Sequence, residues 1–395
     1  MKVLKFGGTS VGTPERIKGV RKIVESQQAP CIVVVSAFQG ITDELKVTCE
    51  LASAQNEEFR AQLSRIITRH KDVIRQLAGK DKAQSLLEKT ETILNNLEKT
   101  LNGIYLVREL SKHSLDEVLS TGELLSSLII SSIIDGSIYV DSREVIRTDS
   151  NFGFANVDFE TSGKLLRKSK AASEKITVMP GFIASNEKGE TTTLGRGGSD
   201  YTAAIVAAAL EAELLEIWTD VDGFMTADPK KVEKAYAIEN LTYSEAIELS
   251  HFGAKVIYTP TLRPVYKKNI PILVLNTFKP ELKGTLISHK PTNGNISPIK
   301  GISSIDHIDL ITLQGTGMIG VTGTSMRLFG ALARKNINII LITQASSEYS
   351  ISFAVVPSDS DNAVESIKSE FRTEIELNSE LNVLIEKNLS IIAIV

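Results

Sequence analysis

One local pattern recurs four times between Val3 and Phe224: an apolar run that ends in a glycine-containing turn. The four turns are KFGGTSVG (5–12), SAFQGIT (36–42), LGRGGSD (194–200) and TDVDGF (219–224). The apolar runs are typical of buried parallel strands, and in an open parallel sheet such turns gather at the carboxyl edge, where ligands bind. A single glycine turn would mean little. Four of them predict one shared site at one edge of a sheet.

Helical segments between these runs complete an α/β pattern. After the strand Val3–Phe6, the sequence Thr13-Pro14-Glu15 supplies an N-cap, a proline for the first helical position and an acid for the first turn. Pro30 ends that helix, and the β-branched run CIVVVSA (31–37) follows as the next strand, which makes a right-handed crossover unit. Because the alternation continues to Asn276, we predict a doubly wound, mostly parallel sheet in a domain over residues 1–295.

Three further segments depart from this alternation. Residues 43–111 are polar and free of proline, which predicts an insertion of two or three amphipathic helices broken at Gly79 and Gly103. Residues 280–298 have the composition of a linker. Beyond it, a βαββα pattern over residues 306–375 predicts a small ferredoxin-like α+β unit, and the apolar strand in 380–395 predicts the start of a second, incomplete unit.

Composition limits the partners and the compartment. The chain has 395 residues and a formal net charge of −4, with acidic and basic residues interspersed. These values predict two or three domains and give no electrostatic reason for a nucleic acid or an anionic membrane as partner. No apolar run approaches the ~20 residues of a membrane helix, and no apolar leader precedes Lys5. Two cysteines outside any ligand spacing fit a reducing environment, so we expect a cytoplasmic protein.

The polar residues in the turns favour phosphoryl transfer. Lys5 emerges from a buried strand just before two glycines, and Arg196 lies beside Gly197–Gly198, where a guanidinium suits a carboxylate or phosphate. Asp200 and Glu123 could be helix caps or site residues. No Ser-His-Asp grouping, CxxC pair or HExxH is present, which disfavours nucleophilic hydrolysis and zinc chemistry. Lysines, backbone N–H groups and an arginine can instead neutralise and position a transferring phosphoryl group. KFGGTSVG matches neither GxxxxGK[ST] nor GxGxxG.

These motifs together resemble a known family. KFGGTSVG, VVSAFQGITDEL, STGELLSS, PGFIAS, TTTLGRGGSDYTA, WTDVDGFMTADP and FGAKVI are similar, in this order, to segments of the aspartate kinases of the amino-acid kinase superfamily. The C-terminal unit resembles an ACT regulatory domain, and LITQASSEYSISF is similar to threonine-regulated aspartate kinase–homoserine dehydrogenases. The resemblance implies transfer of the ATP γ-phosphoryl group to the β-carboxylate of L-aspartate, giving 4-phospho-L-aspartate, the first step towards lysine, threonine and methionine.

The resemblance also implies residue roles. Lys5 and Asp200 would be catalytic, with Lys5 stabilising the transferred phosphoryl group and Asp200 orienting the reacting groups. The substrate-binding residues would be Ser36, Thr42, Glu123, Arg196, Gly197, Gly198 and Ser199. The nucleotide-binding residues would be Lys5, Gly7, Gly8, Thr9, Thr219, Asp220, Met225, Lys230, Lys255 and Val256. Mg²⁺ would bridge the ATP phosphates, and its protein ligands stay open.

Regulation and assembly follow from the same resemblance. An amino-acid effector, threonine or lysine, would bind the ACT unit, and the candidate contacts are Met318, Thr324, Ser325 and Gln344, each of which could equally serve ordinary turn or strand-end structure. ACT units usually pair across chains, so the resemblance implies a homodimer through these units.

The sequence departs from the family pattern at some positions and leaves other functions open. Met225 stands where Tyr is frequent, Lys230 where Arg is frequent, and Tyr258-Thr259 where His-Pro is common. The alternatives are a related kinase for a glutamate-type carboxylate, or a catalytically silent amino-acid sensor that uses only its ACT unit. A nicotinamide dehydrogenase is disfavoured because GxGxxG with a later acid is missing.

Overall fold

The computed structural model describes residues 1–253, 256–259, 262–290, 299–344, 348–377 and 380–395. They form two compact units, Met1–Gly301 and Ile302–Val395. The helices are α1 (Pro14–Glu25), α2 (Ile41–Ser53), α3 (Glu58–Leu77), α4 (Lys80–Val107), α5 (Lys112–Ile133), α6 (Ser142–Val145), α7 (Phe159–Lys168), α8 (Gly198–Ala209), α9 (Tyr243–His251), α10 (Leu262–Lys267), α11 (Thr324–Arg334) and α12 (Pro357–Glu370).

The strands are β1 (Lys2–Phe6), β2 (Cys31–Val35), β3 (Ser137–Tyr139), β4 (Arg147–Thr148), β5 (Ile176–Pro180), β6 (Ile183–Asn186), β7 (Thr191–Thr193), β8 (Leu214–Thr219), β9 (Asn240–Thr242), β10 (Ile272–Asn276), β11 (Thr285–Ser288), β12 (Ile302–Gln314), β13 (Leu341–Gln344), β14 (Ser350–Val355) and β15 (Asn382–Ile394).

The first unit is built on an eight-stranded sheet with the order β3-β5-β2-β1-β8-β10-β11-β9. All neighbours pair in parallel except β10 and β11. β2 and β5 are buried along their whole length, as continuous apolar strands covered on both faces must be. This arrangement confirms the predicted mostly parallel α/β fold. It also places β1, which carries Lys5, in the middle of the sheet.

The predicted start of α1 is observed, whereas one of the two predicted helix breaks in the insertion is not. Thr13 caps α1 by accepting a hydrogen bond from the Arg16 backbone N–H, with Pro14 at the first helical position. Gly79 precedes α4, but Gly103 lies inside that helix and does not break it. No atom lies within 4 Å of the Cβ position of Gly103, so neither turn nor close packing requires glycine there. An exposed glycine costs a helix only about 1 kcal/mol, and α4 continues through it.

Two other segments also differ from the sequence-based interpretation. The run from Lys175 to Ser185 is two strands, because the chain turns at Gly181 and at Phe182, whose φ is +67°. β5 stays in the large sheet, while β6 joins a small sheet with the order β4-β6-β7. The predicted linker 280–298 contains β11, which pairs with β10, and its residues 291–298 lie outside the described part of the chain.

The second unit has an antiparallel sheet with the order β13-β14-β12-β15, against which α11 and α12 pack. The element order βαββαβ with this strand order is the ferredoxin-like arrangement that the sequence predicted. β15 pairs with β12 from Ile302↔Ile394 to Gln314↔Asn382, so in this structure it is the fourth strand of the unit. The idea that residues 380–395 also start a second unit stays a prediction.

Among the described residues, no helix is both long enough and apolar enough to cross a membrane.

Candidate active site

Five parallel strands end side by side at the carboxyl edge of the large sheet. Their ends are joined by four backbone hydrogen bonds, from Gly7 N–H to Trp218 O (3.2 Å), Ser36 N–H to Phe6 O (3.1 Å), Gly181 N–H to Val35 O (2.8 Å) and Thr277 N–H to Thr219 O (2.8 Å). The turns after β1, β2 and β8 are therefore neighbours, as their positions after parallel strands predicted. The prediction was wrong for the remaining turn, LGRGGSD, which follows β7 of the small sheet, where β7 pairs antiparallel with β6. β5 and β10 add two turns that sequence reasoning did not include.

Lys5 and Asp200 form an ion pair at this edge. Lys5 lies on β1, and its Nζ is 2.6 Å from Oδ1 of Asp200. The two side chains are only 11% and 14% exposed, so water screens the pair weakly. Asp200 lies in the first turn of α8 and does not cap it, because Gly197 occupies the N-cap position. Its carboxylate therefore holds an ammonium group over the edge of the sheet.

Glycines leave space around that ammonium. A Cβ on Gly7 would lie 3.4 Å from Lys5 Nζ, and a Cβ on Gly8 would lie 3.0 Å from the carbonyl oxygen of Ala37. The chain then forms a short 3₁₀ turn over Gly8–Val11. Within that turn, the carbonyl of Thr9 accepts a hydrogen bond from Arg16 Nη1 at 2.9 Å. Only glycine at positions 7 and 8 lets another group approach the backbone and Lys5 this closely.

Glu123 provides a buried carboxylate beside the second turn. It lies in the middle of α5 rather than at a helix end, so it is not a cap. Oε1 accepts a hydrogen bond from the Ala37 N–H at 3.1 Å, while Oε2 has no hydrogen-bond partner among the described residues. The side chain is almost fully buried, and that burial raises the pKa of Glu123 to about 8. A buried carboxylate oxygen without a donor is suited to accept a ligand ammonium group.

Gly122 explains how α5 comes close enough to deliver this carboxylate. A Cβ at Gly122 would lie 2.8 Å from the Cβ of Ala37 and 3.2 Å from Cγ2 of Ile41. The helix therefore touches the turn after β2 directly. Ser126, one turn later, donates its hydroxyl to the carbonyl of Ser36 at 2.8 Å. Thr42 lies near the start of α2, half-buried, just beyond the same turn.

The Arg196 turn is held from several sides but leaves its guanidinium available. Arg196 is exposed, and within the described part of the chain it makes no hydrogen bond or ion pair. Gly197 has φ +69°, and a Cβ there would overlap the ring of Tyr258. A Cβ on Gly181 would lie 2.6 Å from the Cβ of Ser199, so the turn after β5 packs on the start of α8. Gly198 is likewise buried against Phe182.

The β8 end lies next to the glycine turn after β1. Ser10, in that turn, shares a 2.7 Å hydrogen bond with Thr277 and can also donate to the carbonyl of Trp218 at 3.4 Å. Thr219 is half-buried, and its hydroxyl donates to Asp220 at 3.3 Å. Thr219 and Asp220 are thus placed beside the strand that carries Lys5, where a nucleotide contact is feasible.

The remaining predicted nucleotide residues lie further along the chain. Met225 is half-buried and forms an isolated bridge with Ala237. Lys230 is exposed, and its backbone N–H donates to the Asp228 carboxylate at 2.9 Å. Val256 is half-buried, and Lys255 lies outside the described residues. No described contact joins these residues to the Lys5–Asp200 pair, so their nucleotide roles stay predictions.

Asp116 is a supporting residue that sequence reasoning missed. This fully buried carboxylate on α5 accepts hydrogen bonds from the Thr193 N–H (2.9 Å), the Thr193 hydroxyl (2.7 Å) and the Gly153 N–H (2.9 Å). Burial raises its pKa, and these hydrogen bonds oppose the rise. Because Thr193 ends β7 just before the Arg196 turn, α5 fixes both Glu123 and that turn. Asp116 and Thr193 are 77 positions apart in the sequence, and no local pattern connects them.

Within the described part of the chain, no group of three or more His, Cys, Asp or Glu side chains is arranged to hold a metal ion.

The four candidate effector residues lie in the second unit. Gln344 is exposed at the end of β13, and Ser325 is half-buried in the first turn of α11. Thr324 donates its hydroxyl to the carbonyl of Val321 at 3.2 Å. Met318 is 3% exposed and belongs to the core of the unit, which favours packing for its side chain.

Comparisons with known proteins agree with this architecture. The model of the amino acid kinase family matches residues 1–276, and an ACT domain model matches residues 311–371. The chain is 36% identical over 406 aligned positions to bifunctional aspartokinase/homoserine dehydrogenase 1 of Arabidopsis thaliana, and covers 44% of that protein. It is 34% identical to lysine-sensitive aspartokinase 3 of Escherichia coli, of which it covers 86%.

A solved structure is similar over the whole chain. The crystal structure of E. coli aspartokinase III in complex with aspartate and ADP superposes with a TM-score of 0.81 at 32% identity, covering all of this chain and 87% of that one. The chain thus spans less than half of its bifunctional plant relative but most of the E. coli aspartokinase. It belongs to the amino acid kinase family, among the aspartokinases that carry an ACT domain.

Proposed function

We propose that this protein is an aspartate kinase, which transfers the γ-phosphoryl group of ATP to the β-carboxylate of L-aspartate. The observation that carries the proposal is the juxtaposition at one sheet edge of the Lys5–Asp200 ion pair and the free, buried oxygen of Glu123. The ammonium of Lys5 suits a transferring phosphoryl group, whereas the carboxylate of Glu123 suits the α-ammonium group of an amino acid. The E. coli structure that holds aspartate and ADP supports the same pair of ligands.

In the proposed reaction some residues position the substrate and another stabilises charge. Glu123 binds the α-ammonium group and Arg196 the α-carboxylate, which directs the β-carboxylate of aspartate towards ATP. One β-carboxylate oxygen attacks the γ-phosphorus as the bond to the leaving oxygen of ADP breaks. Lys5 stays protonated and offsets the negative charge on the transferring group. No general base is needed, because the attacking carboxylate is already ionised at neutral pH.

Asp200 and the glycines support Lys5 in this scheme. The 2.6 Å ion pair holds the Lys5 ammonium in place in a site that screens charge weakly. Gly7 and Gly8 leave room for phosphate oxygens beside the backbone, with Thr9, Ser36, Thr42 and Ser199 as neighbouring polar groups. We expect Thr219 and Asp220 to contact the nucleotide at the adjacent strand end, and Met225, Lys230, Lys255 and Val256 to extend the nucleotide site.

Mg²⁺ belongs to the proposal as the ion that travels with ATP. Such an ion is bound chiefly by phosphate oxygens and water, with one or two protein carboxylates. Asp200, paired with Lys5, and Asp220, after β8, are carboxylates at this edge of the sheet and could supply such ligands. When bound, Mg²⁺ would neutralise phosphate charge.

Regulation and assembly are proposed from the second unit. An amino-acid effector, lysine or threonine, would bind the ACT unit near Gln344, Thr324 and Ser325, and lysine sensitivity of the E. coli relative supports the first choice. Among the described residues, β15 is an edge strand of its sheet, and Ile392 and Ile394 on it are largely exposed. These features favour a homodimer through the ACT units.

The proposal is tested by ADP release in a coupled assay with L-aspartate, L-glutamate and N-acetylglutamate. We expect turnover with aspartate and little with the other two acids. Preference for either glutamate compound would replace aspartate with a glutamate-type acceptor. Absence of turnover with all three acids would support a silent sensor, to be checked by binding of lysine or threonine.

A further inference from the structure

Two loops of the proposed site depend on a helix outside the sheet. The first loop follows β1 (residues 7–12) and the second follows β2 (residues 36–40). Helix α3, in the inserted segment 43–111, contacts both of them. Arg69 Nη2 donates to the carbonyl of Gln39 at 2.8 Å and lies 3.5 Å from the carbonyl of Gly12. One guanidinium therefore joins the ends of both loops.

The orientation of Arg69 is set by its neighbours. Its Nη1 lies 3.4 Å from Oε1 of Glu44, on the first turn of α2. The side chain is 32% exposed, so it is half-buried at these contacts. A planar guanidinium with several fixed donors can serve two carbonyls and a carboxylate at once, which a lysine ammonium cannot do with the same geometry.

His70 provides a second contact between α3 and the second loop. Its ring stacks on the ring of Phe38, with centroids 5.1 Å apart and planes inclined by 18°. His70 is fully buried, and burial lowers its pKa to about 4, so it packs as a neutral aromatic group at physiological pH. Nδ1 pairs with the carbonyl of Ile66 at 2.8 Å, which fixes the ring on α3. Adjacent residues of one helix thus contact the second loop by packing and by hydrogen bonding.

Gln39 is the point where the contacts meet. Its backbone carbonyl accepts from Arg69, while its side-chain oxygen accepts from Arg16 Nη1 at 3.1 Å. Arg16 also donates to the carbonyl of Thr9. The second loop is therefore bound to the first from the α1 side and from the α3 side. Ala37, in the same loop, supplies the N–H that orients Glu123.

We propose that helix α3 positions both loops for phosphoryl transfer and that Arg69 is the positioning residue. This inference rests on the proposed function for its kinetic consequence, but its structural consequence is independent of that function. Arg69 touches neither substrate in this account. It acts by keeping the first loop, next to Lys5, and the second loop, beside Glu123, in a fixed position relative to each other. Their relative position matters because misplacement of reacting groups by about 1 Å can cost 10²-fold in rate.

The variants are Arg69→Ala and Arg69→Lys, with Arg65→Ala as the matched control. Arg65 is exposed one turn earlier on α3 and lines the same cleft beside Gly12–Pro14. The Arg65→Ala substitution removes the same charge from the same helix, and among the described residues Arg65 makes no hydrogen bond or ion pair to either loop. Because a small misplacement of the reacting groups slows transfer strongly, we expect Arg69→Ala to lower kcat about 10- to 100-fold, with a smaller rise in KM for aspartate. Arg69→Lys should recover part of kcat.

The second readout is amide hydrogen exchange of the ligand-free protein. Arg69→Ala should accelerate exchange in residues 7–12 and 36–40, and Arg65→Ala should not. This measurement keeps its meaning even if the protein proves not to phosphorylate aspartate. Loop exchange in Arg69→Ala equal to that of the control would overturn the proposal. So would acceleration spread over the whole Met1–Gly301 unit, or a loss of kcat in which Arg69→Lys is as impaired as Arg69→Ala.

Discussion

Glu123 makes the affinity for aspartate depend on pH. Its carboxylate is buried and receives one hydrogen bond, from the Ala37 N–H, and burial raises its pKa to about 8. In the ligand-free protein at neutral pH the protonated form therefore predominates. Only the ionised form attracts an ammonium group, so aspartate binding must displace a proton. Affinity should consequently rise with pH until Glu123 is ionised without ligand.

The magnitude follows from that pKa. If KM reports binding, it varies as 1 + 10^(pKa − pH), so KM for aspartate should fall about 25-fold between about pH 6.5 and 8.5 and flatten above about pH 8. Glu123→Gln is neutral at every pH and keeps an oxygen for the Ala37 N–H. Its KM should be independent of pH and, because a charge-assisted hydrogen bond is lost, about 10- to 100-fold higher than wild type at the upper end.

The assay is initial ADP release at saturating ATP, with aspartate titrated at each pH. Glu109→Gln is the matched control, because Glu109 is exposed just before α5. It should reproduce the wild-type profile. A wild-type KM that stays flat over this range, or a Glu123→Gln variant that retains the slope, would refute the reasoning.

The same pKa shift also makes the stability of the protein depend on pH. Relative to Glu123→Gln, the free energy of unfolding of the wild type should fall as pH rises between 4.5 and about 8, because folding favours the protonated carboxyl.

Four other substitutions test the site. Lys5→Ala should lower kcat about 10²- to 10³-fold, as loss of one charge-stabilising donor does, with circular dichroism to confirm folding. Arg196→Ala should raise KM for aspartate about 10- to 100-fold with a small change in kcat, because among the described residues the exposed side chain has no hydrogen bond or ion pair to lose. Asp116→Ala leaves the Thr193 and Gly153 N–H groups without their acceptor, and should lower the free energy of unfolding by at least about 1–3 kcal/mol in urea titrations. Gly122→Ala forces α5 away from Ala37, so it should destabilise by about 1–3 kcal/mol and raise KM for aspartate; wild-type values of both would contradict that contact.

Local signals in the sequence were sufficient for the strands and for their common edge. The β-branched run 31–35 needs burial on both faces, and the Thr13-Pro14-Glu15 sequence is a complete helix start, so each specifies its structure within a few residues. The gathering of the turns after β1, β2 and β8 then follows from parallel pairing alone, whereas the Arg196 turn follows β7 of the small sheet. For this reason Lys5, Ser36 and Thr219 could be assigned to one edge before any coordinates.

The supporting contacts could not be predicted because they join distant positions. Asp116 meets Thr193 across 77 positions, and Arg69 meets Gln39 across 30. Helical periodicity shows that a helix has an apolar face but not which loop that face will cover. The turn at Phe182 is another example, since a positive φ at a bulky residue is set by its surroundings and leaves no mark in the local sequence.

The most direct test of the central claim is to trap the product of the reaction. An acyl phosphate reacts with hydroxylamine to give a stable hydroxamate, whereas ADP released by simple ATP hydrolysis leaves none. With ATP, Mg²⁺, L-aspartate and hydroxylamine, the account predicts aspartate β-hydroxamate in a one-to-one ratio with ADP. ADP without hydroxamate, or hydroxamate formed from a glutamate compound in preference to aspartate, would contradict it.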